Sequence, residues 1–359
     1  MTTRTDAISS PFVGRQQLGS VRVAARSKTT LWRGIHPVGL LPHHGRMTSH
    51  RPLPPPLRGR AFSVRQARAE GVSPARLRSS DLATPFRGVR MPAGTAVQLS
   101  TVCAAYRHRM SDRQFFSHTT AARMWLAPLA GYFSALEPLH VMSRSPERAA
   151  RGRGIVGHET NDPHLIVVDR FGFPVADPAS TWLQLAATPG VSLDELIIVA
   201  DHLVLVPEYV NPADPRPFVT LDELRMRMAG YSGRGARRAR EALEHVRVGS
   251  ESRRETQLRL AIVRAGLPEP ELNQVIYSKT GERIGRADKV YRRYKLIVEY
   301  DGQQHRTDSV QYDRDMTRTE EFIRADWFPL KIRKEEMRNG AAEATRRVER
   351  ALRERGWTP

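Results

Sequence analysis

Residues 296–305 read LIVEYDGQQH, and no other stretch constrains this chain so tightly. The apolar run Leu296–Val298 reads as a buried strand, yet it leads straight into Glu299 and Asp301, then Gly302, two amides and His305. Side chains alternate across a strand, so Ile297, Glu299 and Asp301 share one face. A third acid joins them through the preceding hairpin. With YRRY (291–294) as a four-residue loop, Val290 pairs with Lys295 and Asp288 with Ile297. That register sets Asp288 diagonal to Glu299 on the same face, and a one-residue slip would turn it away.

Three carboxylates gathered on one face repel one another unless a cation sits among them. Oxygen donors suit Mg²⁺ (or Mn²⁺), which also binds the phosphate oxygens of a substrate. Such an ion stabilises charge on a phosphate and lowers the pKa of an attacking water. His305, four residues past Asp301 in a loop opened by glycine, is a candidate for moving a proton to or from water or leaving group.

Charge and length bound the rest. The chain has 359 residues, enough for two or three domains, and a net charge of +19. That excess predicts attraction to a polyanion, nucleic acid or an anionic membrane surface, although arginine-favouring codon usage is a competing source. The longest apolar stretch, LIIVADHLVLV (196–206), is broken by Asp201 and His202 and is too short to cross a bilayer. One cysteine, Cys103, excludes an intramolecular disulfide framework and a Cys-based zinc finger. A reducing cytoplasm fits. Residues 1–50 are rich in Arg, Ser, Thr and Pro with Asp6 their only acid, and read as a disordered basic tail. Arg33, His36 and the prolines interrupt any signal-peptide core, and Met47 is an alternative start.

Residues 51–95 carry a helix-turn-helix pattern. Ser63 and Gln66 form a capping box opening a helix through Ala69, and Gly71 supplies the turn. Ser73 caps a second helix with Pro74 at its first position. Pro85–Met91 fits a wing strand. Arg76 and Arg78 on the second helix, with Arg87 on the hairpin, are candidates for DNA contact. A small helical subdomain that only packs is the alternative. The order helix, Gly71-Val72-Ser73, helix, Arg87-Gly88-Val89 hairpin resembles the winged-helix N-terminus of AbiEi-type antitoxins.

Residues 96–248 mix helices, expected at 117–126, 178–187 and 193–204, with strands at 139–143 and around a turn within 164–177. Their order resembles the middle region of the same antitoxin-like proteins. His118, His140 and His158 are far apart in sequence with no i, i+4 pair, and read as separate structural or surface residues. SGRGARRARE (232–241) carries arginines over more than one helix face, a solvated surface or a phosphate contact.

Residues 249–359 read as helix, three strands, helix, strand, helix. Ser252 and Glu255 make a capping box, and Glu255 with Arg259 an i, i+4 pair. Several spaced elements resemble Vsr-related endonuclease-like domains of the PD-(D/E)XK superfamily. They are Glu255 and Arg259, Ala287-Asp288, Glu299-x-Asp301-Gly302-x-x-His305, Asp315-x-x-Arg318 and Trp327. The resemblance implies metal ligation by Asp288 and Glu299, a supporting role for Glu255, and Asp301 or His305 near the scissile phosphate. Two departures stand out: Asp301 occupies the place of the motif's lysine, and Asp326 precedes Trp327 where glycine is usual.

Together these features predict an α/β (α+β multidomain) chain with a restriction-endonuclease-like αβββαβα core. A winged helix-turn-helix and a mixed α/β region precede that core. The expected function is metal-dependent DNA endonuclease, with Glu255, Asp288, Glu299, Asp301 and His305 catalytic, and Asp288, Glu299 and Asp301 on the metal. Arg76, Arg78, Arg87, Arg259 and Arg318 would hold DNA. The alternative is a non-catalytic, antitoxin-type DNA-binding regulator that keeps the nuclease fold as a scaffold. Sequence leaves open whether a toxin partner or a second copy of the chain joins it.

Overall fold

The computed structural model describes residues 50–301 and 309–359. Residues 1–49 and 302–308, with Gly302 and His305 among them, lie outside the described residues.

The N-terminal part is small. A two-residue strand β1 (Phe62–Ser63) runs into α1 (Val64–Ala69), and Ser63 Oγ accepts the Gln66 N–H at 3.0 Å, as the capping pattern requires. Strands β2 (Leu82–Ala83) and β3 (Val89–Pro92) complete a sheet in the order β1-β3-β2. The expected second helix is not there. Ser73 Oγ does accept the Arg76 N–H, but only a single 3₁₀ turn, Arg76–Arg78, follows. Leu77 alone is apolar enough to bury, and the Arg76 guanidinium folds back onto Ser79 and Asp81, which ends the turn. The proline-rich lead-in is not a bare spacer either, because Leu53 and Leu57 pack into this core with Phe62, Ala67 and Val72.

The middle part wraps helices around a five-stranded sheet. Its elements are α2 (Leu99–Arg107), β4 (Gln114–Phe116), α3 (His118–Met124), β5 (Leu139–Arg144), β6 (Ile155–Thr160), β7 (Val167–Arg170) and β8 (Phe173–Ala176). Helices α4 (Pro178–Ala186), α5 (Leu193–Leu203), α6 (Leu221–Ala229) and α7 (Ala236–Glu244) follow. Strand order is β6-β5-β4-β8-β7, with β5–β6 and β4–β8 parallel and the other pairs antiparallel. Fully buried Trp182 donates its indole N–H to Leu196 O at 2.9 Å, tying α4 to α5. Helix α7 buries Ala236, Ala239 and Ala242, and Arg238 turns inward to donate to Ala186 O at 2.9 Å. The three histidines expected to lie apart meet on this sheet, because β5 and β6 run side by side and α3 starts at the end of β4.

The C-terminal part follows the expected element order: α8 (Arg253–Arg264), β9 (Glu271–Tyr277), β10 (Arg283–Tyr291), β11 (Leu296–Asp301), α9 (Ser309–Arg324), β12 (Phe328–Arg333) and α10 (Ala342–Glu354). The sheet runs β12-β11-β10-β9, with only the β11–β12 pair parallel. Leu296 and Val298 pack against Leu258 and Ile262 of α8 and Val348 and Leu352 of α10. Ile297 packs on the opposite side, with Phe322 of α9 and Trp327. Covered on both faces, β11 must be a continuous apolar run, which explains its sequence.

Candidate active site

The β10–β11 hairpin decides where the acids fall. Its register is Tyr291↔Leu296, Val290↔Ile297 and Lys289↔Val298. The loop is therefore Arg292–Lys295, one residue later than expected, and Lys295 closes it at φ 48°. Tyr291 belongs to the strand because it is buried with Leu296 in the core. Moving the loop by one residue slides the pairing by two, so Asp288 keeps its face but comes opposite Glu299 rather than Ile297. There the ladder gives way to a side chain: Asp288 Oδ2 accepts the Tyr300 peptide N–H at 3.0 Å.

Glu255 arrives from the first turn of α8. Ser252 Oγ caps its N–H at 3.2 Å, and its own carboxylate accepts the Glu251 N–H at 2.9 Å. Half of the expected capping box is present: Ser252 caps Glu255, but the Glu255 carboxylate turns back to Glu251 rather than to the Ser252 N–H. Burial first, then the charge of Asp288, pushes the Glu255 carboxyl up to about 7, although nearby Lys289 pulls the other way. Glu299 is 7% exposed. Burial lifts its carboxyl to about 7 as well; Arg318 opposes the shift, while Asp288 and Asp315 add to it. Its Oε1 has no hydrogen-bond partner among the described residues, and Arg318 Nη2 stands 3.2 Å away without hydrogen-bonding geometry.

Three cations attend these acids. Arg318 reaches over from α9, donates to Arg286 O at 3.3 Å and lies across β10 where Gly285 leaves room. A Cβ on Gly285 would sit 3.1 Å from Arg318 Cδ. Lys331 of β12 is in parallel register with Glu299 and pulls its pKa down. Lys289 is 0% exposed, and its Nζ finds no hydrogen-bond partner among the described residues. Burial lowers its pKa against the attraction of Asp288 and Glu255. Neither lysine figured in the sequence reading. Lys331 needed the β11–β12 register, which no motif gives; Lys289 was legible as the residue beside Asp288 that must point the other way, into the core.

The remaining candidates scatter. Asp301 ends β11, half-buried and in register with Arg333. His305 lies outside the described residues. Arg259, expected at DNA, is 1% exposed and pairs with Asp201 at 2.9 Å and Glu269 at 3.1 Å, so a duplex has no access to it. Arg76 is committed to Asp81 at 2.7 Å and to Arg51 O at 2.6 Å, whereas Arg78 and Arg87 are exposed. A groove of about 630 Å³ between Asp194, Arg264 and Arg346 is lined by none of the clustered acids.

The donors of the cluster are all carboxylate oxygens, the type that the hard divalent cations Mg²⁺ and Mn²⁺ prefer. Burial raises the Glu255 and Glu299 carboxyls to about 7 and the charge of Asp288 adds to both, while Arg318 already stands 3.2 Å from Glu299 Oε1 as an opposing cation. The residues fit. Among known proteins, no family model matches this chain and no curated protein matches it.

Proposed function

We propose that this chain is a metal-dependent DNA endonuclease whose C-terminal part is a PD-(D/E)XK-type, restriction-endonuclease-like core. One observation carries the reading: Glu255 of α8 and Glu299 of β11, both buried, stand close enough to Asp288 of β10 for its charge to raise their carboxyls further, and Glu299 Oε1 has no hydrogen-bond partner among the described residues. A fold that needed only stability would not gather them.

Asp288 and Glu299, with Asp301 at the end of β11, would hold Mg²⁺ or Mn²⁺, which supplies charge stabilisation at the phosphate and a more acidic attacking water. Glu255, titrating near neutrality, is matched to accept the proton of that water. Lys331, beside Glu299, offers its ammonium to a phosphate oxygen, the service the missing motif lysine would give. Arg318 can transfer its charge from Glu299 to the substrate. His305 and exposed Arg78 and Arg87 extend the proposed contact with DNA, and the net charge of +19 favours the encounter.

A second reading, a DNA-binding regulator of antitoxin type that keeps the core as a scaffold, has an observation of its own. Lys289 and Arg318 place internal cations against the acids, where a metal would otherwise be needed. Cleavage of supercoiled plasmid by the full chain in Mg²⁺ or Mn²⁺ separates the two. Loss of cutting in EDTA and in Asp288→Ala and Glu299→Ala establishes the nuclease. Plasmid binding without cutting in either metal gives the regulator.

A further inference from the structure

His118, His140 and His158 form a site of a different chemistry from the carboxylates. His140 and His158 stand on the parallel neighbours β5 and β6, and His140 Nδ1 lies 2.9 Å from His158 Nε2. His118 begins α3 and stacks on His158 with ring centroids 3.6 Å apart. One ligand atom from each ring falls within 4.8 Å of the others. The supports around them are built. Gln184 Oε1 accepts the His118 peptide N–H at 2.9 Å, Ser117 Oγ sits 3.0 Å from His118 Nδ1, and Thr120 Oγ1 accepts the His140 peptide N–H at 2.9 Å. His118 is held in left-handed backbone at φ 48°, a conformation that costs a non-glycine residue energy and tends to persist where a side chain must be aimed.

We infer that these three imidazoles bind one borderline divalent transition-metal ion of the Zn²⁺ class. The donor set is nitrogen only, which suits Zn²⁺, Co²⁺ or Ni²⁺ and not the hard ions suited to Glu255, Asp288 and Glu299. Burial lowers the pKa of all three imidazoles, which favours the neutral form that coordinates. His140 and His158 are only half-buried, which leaves an approach from solvent. The rings do have to move. Zn–N bonds of about 2.0–2.1 Å at tetrahedral angles put ligand nitrogens about 3.3 Å apart. The His140–His158 pair must open by about 0.4 Å and His118 must turn out of its stack, rotations about side-chain torsions that leave the backbone supports in place. A water on the open side would supply the remaining ligand.

The test uses the full chain, stripped with chelator and then titrated with CoCl₂ and ZnCl₂ in the presence of excess Mg²⁺. One equivalent of Co²⁺ should develop the intense visible bands of a tetrahedral site, one equivalent of Zn²⁺ should bleach them, and the melting temperature should rise with Zn²⁺. His158→Ala and His140→Gln should each abolish the bands and the rise, whereas Glu299→Gln should leave both unchanged. Absence of tetrahedral bands from the wild-type protein overturns the site, whatever the folding of the variants. Bands that survive in folded His158→Ala or His140→Gln overturn it too, because the ion then sits elsewhere.

Discussion

Glu299 illustrates how much one residue's surroundings change what it is. On an exposed strand it would be an ordinary ionised carboxylate; buried and beside Asp288 it is lifted to about 7, against the pull of Arg318. Raised folded-state pKa values carry a definite sign. Glu255 and Glu299 contribute stability that is fully present below about 4.5, where the unfolded groups titrate, and is lost as pH rises through about 7. The histidines run the other way. His118 and His158, lowered to about 2 and about 4, contribute stability present above about 6.5 and lost as pH falls toward those values. A wild-type profile mixes the two, so the prediction is a difference. In EDTA, Glu299→Gln should gain on wild type from about pH 5 to about pH 7.5, reaching at most about 3 kcal/mol, and Mg²⁺ should shrink that gain. Thermal melts across pH read it directly. A pH-independent difference would mean that Glu299 is not held protonated by its surroundings.

At the scale of elements, α8 has two jobs. Its first turn delivers Glu255 to the acids, and its middle carries Arg259 into a buried network on α5. There Asp201 accepts bonds from Arg259 at 2.9 Å, Thr256 Oγ1 at 2.9 Å and the Arg247 N–H at 2.8 Å. Removing one partner of a buried pair strands the other's charge. Arg259→Ala should therefore cost about 3–5 kcal/mol in denaturant unfolding, and Arg259→Met with Asp201→Leu should recover much of it. Plasmid affinity of the folded fraction should stay at the wild-type value. A drop in affinity at unchanged stability would restore Arg259 to the DNA surface. The β10–β11 hairpin shows the same dependence on packing. Its loop position follows from burying Tyr291, a requirement that lies in α8 and α10 rather than in the hairpin itself.

For the whole molecule the net charge of +19 sets long-range behaviour. Binding to DNA should weaken steeply with salt, and each arginine that meets a phosphate contributes about 0.9 to the slope of log K against log salt. Arg78→Ala and Arg87→Ala should each lower that slope by about 1, whereas Asp288→Ala should not lower it. Unchanged slopes in both arginine variants would take the N-terminal part off the DNA. Among the described residues no helix is long and apolar enough to cross a membrane. The middle part joins the C-terminal part through Arg253, which pairs with Glu195 and donates to Pro128 O at 3.0 Å, and the N-terminal part through Arg109, which donates to Arg87 O at 3.2 Å.

What the sequence determined by itself was local. Alternation along LIVEYD put Glu299 and Asp301 on one side of a strand, and a serine with a glutamate three residues on started α8, because pleat and cap depend only on neighbours in the chain. The element order of the C-terminal part followed from the same signals. The tertiary structure alone decided which distant residues share a volume. Parallel pairing brought Lys331 beside Glu299 and His140 beside His158, and core packing swallowed Lys289 and Arg259. Ser73 and Pro74 announced a helix correctly at its first turn, yet one buried leucine was too little to extend it. Capping starts an element; only burial against the rest of the fold keeps it going.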